Sequence, residues 1–320
     1  MMTLMRSGQS FAQRQLRWLA TISLGIALGT GAGCDARTSN VSTETPGKAL
    51  QAEGAEGADG ADGATSTRNA PAEEPIQMGF IVAAMEVLPA PETVVAAANE
   101  LGLTGLAHEP MDNESFMLSF SHPLGSFIVT LMPAPLPGGA GMPSGIFSPQ
   151  KDEVAAISQH LIVVLTGSGG DVRARDLAAA KFMAAVATSV DALGASFGHG
   201  AALTRTDVLV AAVKDAGESG VVIPVGVDIT LALESKTRAS LLTHGMQRYG
   251  REELYILVPA EDKRILDAFT FAIDISTWML NVDTVFKDGE TLGRSEEERI
   301  LIERVPNPTG SPDRVIRLAL

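Results

Sequence analysis

His160-Leu161-Ile162-Val163-Val164-Leu165-Thr166-Gly167-Ser168-Gly169-Gly170-Asp171 decides how this chain folds. The apolar run within it, Leu161 to Leu165, is short and is closed by glycines. That combination predicts a buried strand ended by a sharp turn. Asp171 then predicts the cap of a long helix. Ala179, Phe182, Met183, Val186, Val190 and Leu193 recur at helical spacing and predict one apolar stripe, which Gly194 stops. A buried strand, a glycine turn and a long helix are therefore expected in succession.

Toward the N-terminus, Gln77–Val87 predicts a strand, and Pro91 suits the first turn of a helix. Val94, Val95, Ala98 and Leu101 give that helix its apolar side, and Gly102 ends it. Ser115–Phe120 and Ser126–Met132 alternate as strands, with His122-Pro123-Leu124-Gly125 as the turn between them. This is a β-α-β-β unit. Residues 133–149 hold five prolines and four glycines, so they predict an irregular crossing, followed by a short helix at Asp152–Ile157.

Toward the C-terminus, Ala195–Phe197 predicts a short strand, and Thr206 or Asp207 caps a helix over Val208–Ala216. Val221–Leu233 reads as a long strand and Glu252–Val258 as another. Asp262–Leu280 reads as a helix with Ile265, Phe269, Ile273 and Leu280 inward. Ile300–Val305 and Arg314–Leu320 read as closing strands. The expectation is an α+β fold: mixed, mostly antiparallel sheets packed with helices. It forms a single domain over residues 76–320, which could subdivide near 133–157.

Upstream of that domain the chain changes character. Arg6, Arg14 and Arg17 precede a 15-residue apolar and small-residue run, Trp18–Ala32. A membrane-spanning helix needs about 20 such residues, so residues 1–33 are expected to be a signal peptide. Gly31-Ala32-Gly33-Cys34 resembles the lipobox of bacterial lipoproteins, in which the cysteine is acylated and becomes the new N-terminus. Cys34 is the only cysteine in the 320 residues, so no intrachain disulfide or cysteine metal site can form. Residues 34–75 are rich in Ser, Thr, Ala, Gly, Glu and Asp, with Gly54, Gly57, Gly60 and Gly63 at every third position. Without proline that spacing holds no collagen helix, and a disordered acidic linker is expected.

The formal charge is −14, and removing residues 1–33, which carry three Arg and no acid, takes it to −17. So acidic a chain is repelled by phosphate backbones and anionic lipid heads. Nucleic-acid binding is therefore not expected, and membrane attachment is expected through lipidated Cys34.

Candidate chemistry is sparse. Gly167, Ser168, Gly169 and Gly170 join a strand to a helix, and Arg173 and Arg175 follow in its first turn. Such a loop could hold an anion on backbone N–H groups. It lacks the third glycine of a dinucleotide fingerprint and the Lys-Ser/Thr of a P-loop. Gly194-Ala195-Ser196-Phe197-Gly198 matches G-x-S-x-G, but a helix precedes it where a hydrolase elbow needs a strand. The histidines, His108, His122, His160, His199 and His244, form no H-E-x-x-H and no helical i, i+4 pair, so neither a metal nor a cofactor is expected.

Several segments together resemble a family. They are His160 opening the central strand, Ala192-Leu193-Gly194 with Ser196-Phe197-Gly198, and Thr243-His244-Gly245-Met246. Tyr249-Gly250-Arg251-Glu252-Glu253-Leu254 and Lys287-Asp288-Gly289-Glu290-Thr291-Leu292-Gly293 complete them. From about Ile76 to Val305 the chain resembles the bacterial domain-of-unknown-function family 4261. The resemblance implies one α+β unit and no particular activity. The expectation is a lipid-anchored cell-envelope protein, facing the periplasm or exterior, whose domain binds a ligand or another envelope protein. The alternative is an extracytoplasmic hydrolase whose site gathers His160, Ser196 and His244.

Overall fold

The computed structural model describes residues 2–3, 77–112, 115–137, 147–167, 169–197, 202–216, 220–223, 226–282, 285–295 and 297–320. All belong to one compact unit. Cys34, Ser168, His199 and the whole 34–75 segment lie outside the described residues.

The strands are β1 (Met2–Thr3), β2 (Gln77–Val82), β3 (Ala107–Glu109), β4 (Met117–His122), β5 (Gly125–Met132), β6 (His160–Thr166) and β7 (Gly194–Phe197). They continue with β8 (Thr204–Arg205), β9 (Asp228–Leu233), β10 (Arg238–His244), β11 (Leu254–Pro259), β12 (Thr291–Gly293), β13 (Ile300–Pro306) and β14 (Arg314–Ala319). The helices are α1 (Pro91–Glu100), α2 (Lys151–Ala155), α3 (Val172–Ser189), α4 (Thr206–Ala216) and α5 (Asp262–Asn281). They build two mostly antiparallel sheets packed with helices, the expected α+β fold.

The first sheet has the order β3-β4-β5-β6-β2-β7-β8 and is antiparallel throughout. One face carries Ile81, Leu118, Phe120, Phe127, Val129, Leu161, Val163, Leu165, Ala195 and Phe197, all buried. Strand alternation puts these side chains together, and α1, α3 and α4 close over them in one core. The expected single stripe on α3 was too narrow. Every residue from Arg175 to Ala187 is buried, because α3 lies against the sheet with α1 and α4 beside it. Six alanines within that span let neighbouring elements approach on every side. Phe182 stacks on Phe127 at 4.4 Å between ring centroids and meets Phe120 edge-on, a pairing worth about 1 kcal/mol beyond its buried area.

The second sheet has the order β1-β12-β13-β14-β11-β10-β9. Only β1·β12 and β11·β14 pair in parallel. Its core face packs on α5 through Phe269, Ala272, Ile273 and Met279 in a separate cluster. Val208 joins this second core while Leu209, Ala212 and Val213 of the same helix belong to the first. Helix α4 thus serves both.

Three segments differ from expectation. The long strand over Val221–Leu233 shrinks to β9, because Gly226 N–H donates to Val222 C=O at 2.7 Å and closes a turn. The strand from Gln77 stops at Val82 rather than Val87. Helix α3 ends at Ser189 before reaching Gly194, since Ala192 N–H turns back to Ala187 C=O at 2.9 Å. Strands β1, β3, β8, β10 and β12 were not expected.

One carboxylate is hydrogen-bonded to both halves. Asp176 of α3 is 5 % exposed. Its Oδ1 accepts from Gln77 Nε2 at 2.6 Å and from an Arg248 guanidinium N–H at 2.7 Å, and its Oδ2 accepts from the Tyr249 hydroxyl at 2.7 Å. Gln77 and Asp176 come from the first half, Arg248 and Tyr249 from the 3₁₀ turn Met246–Tyr249 in the second. A buried carboxylate is tolerated only when paired and hydrogen-bonded. Asp176→Ala strands the Arg248 charge and is expected to cost about 3–5 kcal/mol in urea unfolding. Burial, and then the Asp176 charge and hydrogen bond, push the Tyr249 phenol well above its ordinary value. Above a pH of about 10 the unfolded chain releases that proton while the native chain keeps it. Stability is therefore present below pH 10 and lost as pH rises. The wild type should lose about 1.4 kcal/mol per pH unit more than Tyr249→Phe, read from paired denaturation curves.

Candidate functional site

The Thr243–Leu254 segment is built around Glu253, which is 6 % exposed. Its Oε2 accepts from Thr243 Oγ1 at 2.7 Å, and its Oε1 accepts from Gly245 N–H at 2.9 Å and Gln247 N–H at 3.4 Å. Thr243 Oγ1 in turn accepts from Leu254 N–H at 2.7 Å. One carboxylate thus satisfies the backbone where β10 leaves the sheet and enters the 3₁₀ turn. Gly245 sits at φ 110°, and a Cβ there would lie 2.5 Å from Gly226 C=O, so only glycine fits. The turn presents Arg248 and Tyr249 to Asp176.

A second clip lies beside it. Arg304 of β13 makes a bidentate pair with Glu252, Nε to Oε1 at 2.8 Å and a terminal N–H to Oε2 at 2.8 Å. The same guanidinium donates to Phe286 C=O at 2.7 Å, and Arg304 N–H donates to Asp288 Oδ1 at 2.7 Å. Tyr249–Leu254 and Lys287–Gly293 are therefore held to one strand.

The other residues singled out from sequence fall as follows. His160 and Ser196 occupy the sheet face opposite the helices, with β2 between their strands. Strand spacing and rise separate them by roughly 12 Å. His160 Nδ1 lies 2.8 Å from Ala134 C=O. Ser196 is buried mid-strand rather than raised on an elbow. His244 belongs to the other sheet, where its Nε2 lies 3.1 Å from Thr230 Oγ1. No hydrogen bond joins these three among the described residues. In the glycine loop, a Cβ on Gly167 would lie 2.9 Å from Gly125 Cα, and one on Gly169 would lie 2.7 Å from Pro123 C=O. These glycines let the loop interlock with the β4–β5 turn. Asp171 Oδ1 takes the Ala174 N–H at 2.8 Å, so the helix N-terminus already holds a carboxylate. Arg175 is buried, and Arg173 is half-buried on the side of Tyr249.

A cavity of ≈ 780 Å³ lies elsewhere, between the C-terminal end of α3, helix α4 and α2. Its α4 wall is Asp207, Val210, Ala211, Lys214 and Asp215, one face two turns long. Ala187, Thr188, Asp191, Ala192 and Leu193 face it, and Pro149 and Glu153 close one end. Arg205, also in the lining, pairs through Nε with Asp207 Oδ1 at 3.0 Å and through a terminal N–H with Oδ2. Asp191 stands out. It has φ 49°, a non-glycine residue in the left-handed region, in the position after the helix cap where glycine is usual. An acid there also opposes the helix dipole. No motif pointed to this cavity, because Glu153, Asp191 and Arg205 are far apart in sequence.

Residues 242–319 match the family model described as Domain of unknown function (DUF4261). The match contains the Glu253 cradle, the Arg304 clip and the pair that reaches Asp176. His160 and the Ala192–Gly198 segment lie outside it. No curated protein and no solved structure matches the chain. Within the matched segment, Glu253→Ala should unfold at lower urea, with a loss of about 3 kcal/mol, because it leaves Thr243 and Gly245 without their buried acceptor.

Proposed function

We propose that the chain is a bacterial envelope lipoprotein, anchored by acyl chains on Cys34 and facing the periplasm or exterior, whose globular part acts by binding. The reading rests on the Arg14–Cys34 stretch: basic flank, short apolar run, small residues, then the only cysteine. Each buried acyl CH₂ contributes about 0.8 kcal/mol, and two or more chains anchor stably. The acidic 34–75 segment spaces the domain from the bilayer and is repelled by anionic lipid heads.

Processing before Cys34 would remove β1 from the second sheet. That strand is held by two residue pairs, Met2 with Leu292 and Thr3 with Gly293, so the sheet would keep six strands with β12 at the edge. No helix among the described residues is long and apolar enough to cross a membrane, so attachment in this reading falls to the acyl chains. Cells fed an alkynyl palmitate should yield a labelled chain in the membrane fraction. Cys34→Ser should lose both the label and the membrane association. A wild-type chain that stays unlabelled and soluble would contradict the anchoring.

A further inference from the structure

Four strands end the two sheets: β3 and β8 in the first, β1 and β9 in the second. Three of them, β1, β3 and β8, are only two or three residues long. Edges that short offer little unpaired backbone to another chain. Strand β9 differs. It runs six residues, and Ile229-Thr230-Leu231-Ala232-Leu233 within it holds no charge and no proline. Among the described residues no strand pairs with its outer side. Its apolar face is left open as well. Leu231 and Leu233 lie opposite Leu241 and Ala239 of β10, which are buried in the second core. Ile229 is buried with them, but Leu231 is 38 % exposed and Leu233 71 %. The core thus runs out along β9, from a buried end to an exposed one.

An unpaired row of backbone N–H and C=O groups selects another β-strand as its occupant. We propose that β9 pairs antiparallel with β9 of a second copy about a two-fold axis, joining two seven-stranded sheets into one. With Ala232 on the axis, Leu231 of each copy stands opposite Leu233 of the other, and four leucines cluster at the exposed end of the core face. A register centred on Leu231 instead sets Asp228 opposite Glu234 of the second copy, acid against acid. Strand β9 complements itself, since the Ile229–Leu233 run brings no like charges together on a molecule of net charge −14. Association stops at two copies, because the other edge of the joined sheet is β1, only two residues long. The contact is smaller than the roughly 1,200 Å² of a standard interface, so the dimer is weak and reversible.

The test uses the full chain carrying Cys34→Ser, which holds no cysteine. Sedimentation equilibrium should show a monomer–dimer system with a Kd of about 50 μM. Leu233→Lys puts a charge on the edge and should weaken the dimer at least about tenfold. Because Leu233 is so exposed, that variant should keep its Tm within about 2 °C. Ala232→Cys should form a disulfide between copies in air, since opposite Cα atoms of an antiparallel pair lie about 4.5 or 5.5 Å apart, within a disulfide's reach. Val87→Cys, 73 % exposed and outside β9, should not. Adding Leu233→Lys to Ala232→Cys should remove the cross-link. A chain still monomeric at about 500 μM, a Kd unchanged by Leu233→Lys, or a folded Ala232→Cys variant that dimerises without cross-linking would overturn the proposal. The sedimentation arm stands without the cysteine variants. None of these outcomes depends on whether Cys34 is acylated, so failure here is distinct from failure of the anchoring.

Discussion

One buried carboxylate fixes how the two halves of this protein meet. Asp176 accepts from Gln77, Arg248 and Tyr249 at 2.6–2.7 Å, and those donors come from both halves, Gln77 from β2 and the other two from the 3₁₀ turn after β10. The two apolar clusters are separate, and helix α4 shares them through Val208 on one side and Leu209 on the other. Apolar contact is non-directional and would tolerate sliding of one half on the other. A carboxylate with three donors in fixed geometry does not, because each displaced donor would be left buried and unpaired. The junction therefore sets how the halves meet, at a desolvation cost that its hydrogen bonds offset.

The motif residues of the C-terminal part act through that junction. Glu253 fixes the turn after β10, the turn carries Arg248 and Tyr249, and these reach Asp176. Arg304 clips the Lys287–Gly293 segment and Glu252 to the same sheet. Most of the polar side chains that gave the sequence its family resemblance are thus engaged in holding backbone. The cavity beside α4 is lined instead by side chains of α2, α3, α4 and the segments adjoining them.

Much of the fold was legible because its signals are local. The run Leu161–Leu165 before glycines, Asp171 as a cap, Pro91 at a helix start and the Pro123-Leu124 turn each carry their own physical reason, and each stands where expected. Strand β10 was missed because it is buried from Ala239 to Thr243 without a break, so its sequence shows no alternation. The α3 stripe was read too narrowly because alanine contacts on all sides look like a weak pattern. Asp176 could have been found: it falls in line with Ala179, Met183 and Val186, an acid on an apolar face. Its partners could not, since Gln77 and Tyr249 lie 99 and 73 residues away. The cavity was illegible for the same reason.

If Asp176 joins the halves into one cooperative structure, both sheets must lose protection together. Native-state hydrogen exchange in rising urea, resolved by peptide, measures this directly. The account predicts that β4–β6 and α3 open with the same free energy as β10–β14 and α5, and that Asp176→Ala splits them into two transitions. Separate opening of the sheets in the wild type, or a single transition retained in Asp176→Ala, would contradict it.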